Sequence, residues 1–254
     1  MKIVALIPAR LASTRFPEKP LAHILGKPMI LWVAELTTKA VGIGNTYIAT
    51  DSDQIASVVE AAGFRVVMTS PDALTGTDRI AEAAEQIDAD IFINVQGDEP
   101  MLDPASITKV IDSAKQHPDT VINGYASIPQ SDDPSNVNLP KCAIASDGRL
   151  LYMSRAAIPA YKDYHKRQAV YYKQVCIYAF TRAQLEAYAA AGSKAPCEQS
   201  EDIEILRFLD MGYEVRMIEL PGDTLAVDAP GDVEIVETAM LQAGHSEDSN
   251  RPIS

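Results

Sequence analysis

The sequence predicts an α/β fold: a mostly parallel central sheet with helices on both faces and a mixed-strand insertion. Three observations support this prediction. Residues 2–9, KIVALIPA, form an unbroken apolar run, which is typical of a strand buried on both faces. Strand-like and helical segments then alternate, as expected of parallel strands joined by right-handed crossovers. From about Val121 the pattern changes to strand-like segments joined by short turns.

The first half contains four strand–helix units. Strands are predicted at residues 2–9, 46–51, 65–70 and 90–100, the last ending in an acidic turn. Helices are predicted at 28–40, from Ser52-Asp53 to near Gly63, at 78–87, and from Asp103-Pro104 to Lys115. In such a sheet, ligands bind beyond the carboxyl ends of the strands.

The second half contains shorter elements. Strands are predicted in 121–129, 141–155 and 173–180, with a hairpin turn at Asp147-Gly148, and in 213–220. Helices are predicted at about 182–191, at 200–211, and after Asp228-Ala229-Pro230 to about Ala243. We therefore divide the chain into a core, 1–120 with 221–244, an inserted subdomain, 121–220, that closes over it as a lid, and a flexible tail, 245–254.

Net charge, apolar runs and cysteine spacing indicate which partners and which location to expect. The formal net charge of −13 argues against nucleic acid or an anionic membrane as the main partner, because both are bound by clustered cations. No apolar run approaches ~18 residues, so no membrane span is expected. The three cysteines are widely spaced and form no CxxC pair, which favours a reducing, cytoplasmic location over a disulfide framework or zinc site.

A basic loop follows the first strand. Arg10, Arg15 and Lys19 lie there with the small hydroxyl residues Ser13 and Thr14. Fixed cations, hydroxyls and backbone amides together suit a phosphate-bearing substrate, although GxxxxGK[ST] is absent. A solvated surface loop is the plainer alternative.

Two carboxylates follow apolar runs. Asp98 lies in NVQGDEP beside Gly97, and Asp228 lies in LAVDAP. Hard oxygen ligands of this kind suit Mg²⁺, which takes one or two carboxylates and completes its shell with phosphates and water. The alternatives are an Asx-type turn at Asp98 and a helix N-cap at Asp228. Thr75 and Gly76 precede the helix of Arg79 and form a further candidate ring- or ribose-binding loop.

These motifs resemble those of CMP-3-deoxy-manno-octulosonate synthetases. The matching segments run in order over nearly the whole chain: PAR-STR-P-KPL at 8–21, GKPMI at 26–30, ATD at 49–51, TGTDR at 75–79, NVQGDEP at 94–100, YMSRAAIP at 152–159 and VDAP at 227–230. The resemblance implies a fold like that of the nucleotide-diphospho-sugar transferases. It also implies transfer of CMP from CTP to an eight-carbon sugar acid for lipopolysaccharide, with Mg²⁺ as cofactor, pyrophosphate as product and a homodimer.

The resemblance also implies roles for individual residues. The core would bind nucleotide through Arg10, Ser13, Thr14, Arg15, Lys19, Thr75, Gly76, Arg79 and Asp98. Lys19, Arg15 and Asp98 would act in catalysis, and Asp98 with Asp228 would hold magnesium. The 121–220 subdomain would serve dimerisation and sugar binding. The sugar would contact Gln96, Arg155, Gln174, Tyr178, and Glu201 and Glu204 of the acidic run 198–204.

Gln174 departs from the family pattern, where a histidine is usual. A neutral glutamine would suit a sugar that carries its own ammonium, because like charges in one pocket are unfavourable. The 8-amino-3,8-dideoxy sugar is therefore one hypothesis, and neutral drift at this position is the other. Two further alternatives are a cytidylyltransferase for a sialic-acid-like sugar or polyol phosphate, and a catalytically inactive nucleotide-binding regulator.

Overall fold

A computed structural model describes residues 1–12, 16–129, 131–163, 170–222 and 225–246. Ser13, Thr14 and Arg15 therefore lie outside the described residues, as does most of the predicted tail. The strands are β1 (Ile3–Ala9), β2 (His23–Ile24), β3 (Lys27–Pro28), β4 (Thr46–Thr50), β5 (Arg65–Met68), β6 (Ile91–Val95), β7 (Val121–Ser127), β8 (Lys141–Ile144), β9 (Leu150–Ser154), β10 (Tyr172–Thr181) and β11 (Val215–Glu219). The α-helices are α1 (Met29–Val41), α2 (Asp53–Ala61), α3 (Gly76–Glu85), α4 (Pro104–Gln116), α5 (Arg182–Ala190), α6 (Pro196–Glu201), α7 (Ile205–Asp210) and α8 (Asp232–Gln242).

The central sheet has the strand order β11-β7-β10-β6-β1-β4-β5, and the β8–β9 hairpin pairs with β10. All pairings along this order are parallel except the two made by β10. The predicted mostly parallel sheet with mixed strands is confirmed. The sheet is continuous across residue 121, because β10 pairs directly with β6. The division into a core and a closing subdomain stays a prediction.

The sheet is covered on both faces, as predicted. On one face, α1, α2 and α4 pack against alternate β1 residues such as Ala5 and Ile7. On the other, α3, α5 and α7 pack against Val4 and Leu6. Residues of both parities in β1 are thus buried, which explains its unbroken apolar run. None of the helices in the described part of the chain combines the length and apolar character that a membrane crossing requires.

Two predicted helix starts are confirmed by their caps. The Ser52 hydroxyl accepts from the Ile55 amide, and the Asp103 carboxylate accepts from Ala105. The prediction of one helix over 200–211 is wrong. The chain forms α6 and α7 instead, because Asp202 adopts a left-handed conformation with φ 50° that ends α6.

A third, smaller core fixes the last helix. Trp32 of α1, Leu25, Val227 and Met240 of α8 belong to it. The Leu25 amide also donates to Glu237 of α8 at 2.8 Å. These contacts hold the segment before α8 against the start of α1, next to the carboxyl end of β1.

Candidate active site

A cleft of about 350 Å³ lies at the carboxyl ends of β1 and β6. The chain leaves β1 for β4 on one side and returns through α3 to β6 on the other, so the strand order reverses at β1. Such a switch point opens a crevice in α/β sheets. Its lining residues are Pro8, Ala9, Arg10, Lys19, Pro20, Met29, Ala73, Leu74, Thr75, Gly76, Arg79, Gln96, Gly97, Asp98, Lys194, Asp202, Glu204 and Asp228.

The floor of the cleft is packed closely around Gly97. A Cβ there would stand 3.1 Å from the carbonyl oxygen of Pro8 and 3.5 Å from Ile30 Cδ1. Because a side chain there would crowd the backbone at the end of β1, glycine lets the turn that carries Asp98 approach β1 closely.

Lys19 and Asp98 form the central contact of the cleft. Lys19 Nζ donates to Asp98 Oδ2 at 2.7 Å and to the carbonyl oxygen of Val227 at 3.1 Å, and it lies 3.9 Å from Asp228 Oδ1. The Val227 amide in turn donates to the carbonyl oxygen of Asp98 at 2.9 Å. Three distant segments thus bring one ammonium and two carboxylates together.

Neither Asp98 nor Asp228 caps a helix. Asp103 caps α4, so the Asx-type cap considered for Asp98 is not formed. Gly231 stands at the N-cap of α8, and the Asp232 carboxylate accepts from the amides of Asp228 and Ala229. The Asp228 side chain is consequently 50% exposed and faces the cleft.

This pair fits a magnesium ion in its chemistry. Asp98 and Asp228 supply hard oxygen donors at the edge of an open cleft. Within the described ranges, no group of three or more His, Cys, Asp or Glu side chains could enclose a metal. An ion held by one or two carboxylates and completed by substrate phosphates is the arrangement that Mg²⁺ commonly takes.

Glu99 lies behind Asp98, inside the protein. It is 7% exposed, and its Oε2 atom has no hydrogen-bond partner. Burial, reinforced by the charge of Asp98, raises the pKa of Glu99 to about 7. Its carboxyl does not line the cleft, so Asp98 is the acidic residue that this turn presents to a ligand.

The N-terminus of α3 forms another part of the wall. Thr75 caps the helix by accepting from the Asp78 amide. The amides of Gly76 and Thr77 donate to the two Glu204 oxygens at 3.0 and 2.8 Å. Burial raises the pKa of Glu204, while these hydrogen bonds counteract part of the rise. Because a carboxylate of the protein already satisfies this helix terminus, Gly76 contributes shape to the cleft rather than a free amide.

The remaining nucleotide candidates differ in exposure. Arg10 is exposed at the cleft mouth. Arg79 lines the cleft but is only 3% exposed, and its guanidinium lies 3.3 Å from Asp51 Oδ2 and donates to Thr69. Arg10 and Lys19 are therefore the better-placed cations for an incoming anion.

The predicted sugar residues separate into two groups. Gln96 and Glu204 line the cleft, whereas Arg155, Gln174, Tyr178 and Glu201 do not. Gln174 Nε2 donates to Asn123 Oδ1 at 3.0 Å and to the buried Tyr178 hydroxyl at 3.3 Å.

Arg155 has structural partners instead of a place in the cleft. Its guanidinium donates to the carbonyl oxygens of Val137, Glu201 and Asp202. The Glu201 carboxylate accepts from the Ser154 hydroxyl and the Arg155 amide. These contacts clamp the corner between α6 and α7.

Sequence reasoning missed Lys194 and did not single out Asp202. Asp202 lies in the acidic run 198–204, and a helix predicted across it hid its orientation. Lys194 lies between Ser193 and Ala195 and carries no pattern that could have indicated a site.

A sequence model described as cytidylyltransferase matches residues 4–217. This chain belongs to the cytidylyltransferase family. This chain is 42% identical over 245 residues to the 8-amino-3,8-dideoxy-manno-octulosonate cytidylyltransferase of Shewanella oneidensis. The match covers 93% of this chain and 98% of the relative. The chain is 40% identical over 246 residues to the 3-deoxy-manno-octulosonate cytidylyltransferase of Geobacter metallireducens, covering 93% and 96%.

The fold of the cytidylyltransferase is confirmed by a solved relative. A CMP:2-keto-3-deoxy-manno-octonic acid synthetase complexed with CTP superposes with a TM-score of 0.88 at 35% identity, covering 96% of this chain and 100% of that chain. The resemblance deduced from the motifs is therefore confirmed at the level of family and fold.

Proposed function

We propose that this cytidylyltransferase transfers CMP from CTP to a 3-deoxy-manno-octulosonate-type sugar acid and releases pyrophosphate, for lipopolysaccharide biosynthesis. The contact of Lys19 with Asp98 and Asp228 at the carboxyl ends of β1 and β6 is the observation that carries the proposal. The names of the Shewanella and Geobacter relatives support the choice of sugar acid, and the solved synthetase complexed with CTP supports the choice of nucleotide.

The reaction requires the anomeric hydroxyl of the sugar to attack the α-phosphorus of CTP while pyrophosphate leaves. Arg10 and Lys19 would neutralise phosphate charge, with Arg15 and the hydroxyls of Ser13 and Thr14 as further predicted contacts. Such positioning and charge stabilisation supply most of the acceleration in this chemistry.

Asp98 and Asp228 would hold magnesium in the proposed enzyme. The ion, when bound, would neutralise developing charge on the phosphates. The protein side chains would orient it: Lys19 donates to Asp98 and fixes the carboxylate, while the Val227 amide holds the backbone of Asp98.

The proposal extends to assembly and location. The protein is proposed to form a homodimer through the 121–220 segment. Light scattering during gel filtration would test it. CTP consumption supports the cytoplasm as the place of action, and cell fractionation would test that.

The central experiment measures pyrophosphate release with CTP, UTP and ATP against a panel of sugar acids. We expect turnover with CTP and an octulosonate, and a loss of about 100- to 1000-fold in kcat for Asp98→Asn, the size typical of removing one charge-stabilising group. The matched control is Asp112→Asn on the exposed side of α4.

Metal binding needs its own measurement. Calorimetric titration of Mg²⁺ into the CTP-loaded protein should lose most of its signal in Asp228→Asn. CTP binding without turnover of any sugar acid would support the inactive regulator instead. Turnover of only a sialic-acid-like sugar or a polyol phosphate would refute the octulosonate.

A further inference from the structure

Three charged side chains between α5 and α7 line one wall of the cleft: Lys194, Asp202 and Glu204. Both oxygens of Glu204 already accept from the first amides of α3. Lys194 Nζ lies 2.8 Å from Asp202 Oδ1, and the side chains are 23% and 71% exposed, respectively. The wall therefore presents one largely exposed carboxylate that a lysine ammonium partly balances.

The corner that carries Asp202 is built to hold it in place. Its φ of 50° is rare for a residue other than glycine, although aspartate and asparagine tolerate it best. An Arg155 guanidinium nitrogen donates to the carbonyl oxygen of Asp202 at 3.0 Å, and Ser154 and Arg155 anchor the adjacent Glu201. Unusual backbone conformations that surrounding contacts enforce are often found at functional sites.

The charge of this wall indicates which substrate it meets. Two carboxylates and one ammonium leave it net negative, so it repels a triphosphate. The triphosphate instead suits the side of the cleft that carries Arg10 and Lys19. The Lys194–Asp202 wall is thus best suited to the acceptor sugar, and an exposed carboxylate there can bind a hydroxyl or, more strongly, an ammonium.

We infer that the Asp202 carboxylate recognises the terminal group of the acceptor sugar and favours an ammonium over a hydroxyl, with Lys194 as the cation that the sugar ammonium displaces. This inference rests on the proposed function. The sugar ammonium takes the position of Lys194 Nζ on the Asp202 carboxylate, and the long Lys194 side chain turns to solvent. One cation replaces another, so no charge is left unpaired. A sugar hydroxyl carries no positive charge, so a hydroxyl in the position of Lys194 Nζ would leave less positive charge beside the Asp202 carboxylate.

Asp202, rather than Gln174, is then the residue that determines specificity for the terminal group. The Gln174 side chain is engaged with Asn123 and Tyr178 and does not line the cleft. Gln174 is then not the residue that contacts the terminal amine.

The test compares the 8-amino and 8-hydroxy sugars as acceptors at saturating CTP. We expect the wild-type protein to prefer the amino sugar by roughly 10-fold in kcat/KM, the difference between a charged and a neutral hydrogen bond. Asp202→Asn should abolish that preference by lowering kcat/KM for the amino sugar alone. Asparagine also tolerates a left-handed backbone, so the corner should remain folded.

The controls separate a local effect from a general one. Asp210→Asn removes an exposed carboxylate of α7 that does not line the cleft, and it should leave the preference unchanged. Both variants should melt within about 2–4 °C of the wild type, the shift that ~1 kcal/mol produces at this size. Lys194→Met removes the competing cation and should lower KM for the amino sugar several-fold without changing KM for the hydroxy sugar.

Distinct results would overturn the inference. Three results for Asp202→Asn would contradict it: an equal fall in kcat/KM for both sugars, a rise in KM for CTP alone, or no effect. Each would remove Asp202 from terminal-group recognition, as would a wild-type preference for the hydroxy sugar. A higher KM for both sugars in Lys194→Met would assign the lysine to their shared carboxylate. Failure of the wild type to use either sugar would refute the proposed function, and this inference with it.

Discussion

Replacing Arg207 by methionine should strongly destabilise the protein. The Arg207 guanidinium, only 1% exposed, makes two 2.7 Å hydrogen bonds to the Glu198 carboxylate and two more to Asp78 at 2.8 and 3.1 Å. It also lies 3.8 Å from the centre of the Tyr188 ring. Burial alone would lower the pKa of Arg207, but its bonds to Glu198 and Asp78 raise it overall.

The magnitude follows from the burial of the partners. The Glu198 side chain is 1% exposed and that of Asp78 is 15% exposed. The substitution therefore removes the Arg207 guanidinium from one buried and one mostly buried carboxylate. Removing one partner of such a network costs about 3–5 kcal/mol. At this chain length, that corresponds to a fall in Tm of roughly 6–20 °C.

The effect should also reach the cleft. Asp78 accepts from the Thr75 hydroxyl at 2.6 Å, and Thr75 caps α3 on the cleft wall. We expect Arg207→Met to raise KM for CTP as well as to lower stability, because α3 loses the support of its first turn.

Urea unfolding followed by circular dichroism would measure the free-energy change. Arg216→Met is the matched control. Its guanidinium contacts Glu214, which is 42% exposed, at 3.4 Å and donates to the carbonyl oxygen of Asp147 at 3.0 Å, and exposed pairs contribute at most about 1 kcal/mol. Adding Glu198→Gln to Arg207→Met should restore part of the loss by removing a buried charge. A loss below about 1 kcal/mol in Arg207→Met, or no recovery in the double variant, would refute the reasoning.

Two further experiments test the packing at Gly124 and the accessibility of the cysteine thiols. Gly124→Ala places a Cβ 2.6 Å from Leu220 Cδ1 and should cost about 1–3 kcal/mol in urea unfolding, whereas Gly44→Ala meets nothing within 4 Å and should be near neutral; equal effects would contradict the packing. A chromogenic disulfide reagent should modify exposed Cys197 in the native protein and Cys142 and Cys176 only after unfolding, since burial raises the pKa of both thiols, that of Cys142 to about 12; more than one fast thiol would contradict this.

Local pattern sufficed for much of the fold. The apolar run of β1 is buried on both faces, and Ser52 and Asp103 cap the helices they were predicted to start. Periodicity and capping are read within a few residues, so no distant contact is needed to predict them. The helix predicted over 200–211 failed because one left-handed residue, Asp202, interrupts a segment that is otherwise helical in composition.

The sequence by itself determined the α/β class, the family and the candidate residues Lys19, Asp98 and Asp228, because apolar runs and ordered motifs are local features. Only the tertiary structure decided how these residues meet: Lys19 lies 79 positions from Asp98 and 208 from Val227, yet contacts both. It also turned the Arg155 guanidinium towards backbone carbonyls and brought Lys194 to the cleft wall. Side-chain direction at these positions depends on contacts between segments far apart in the chain, which residue type and spacing do not encode.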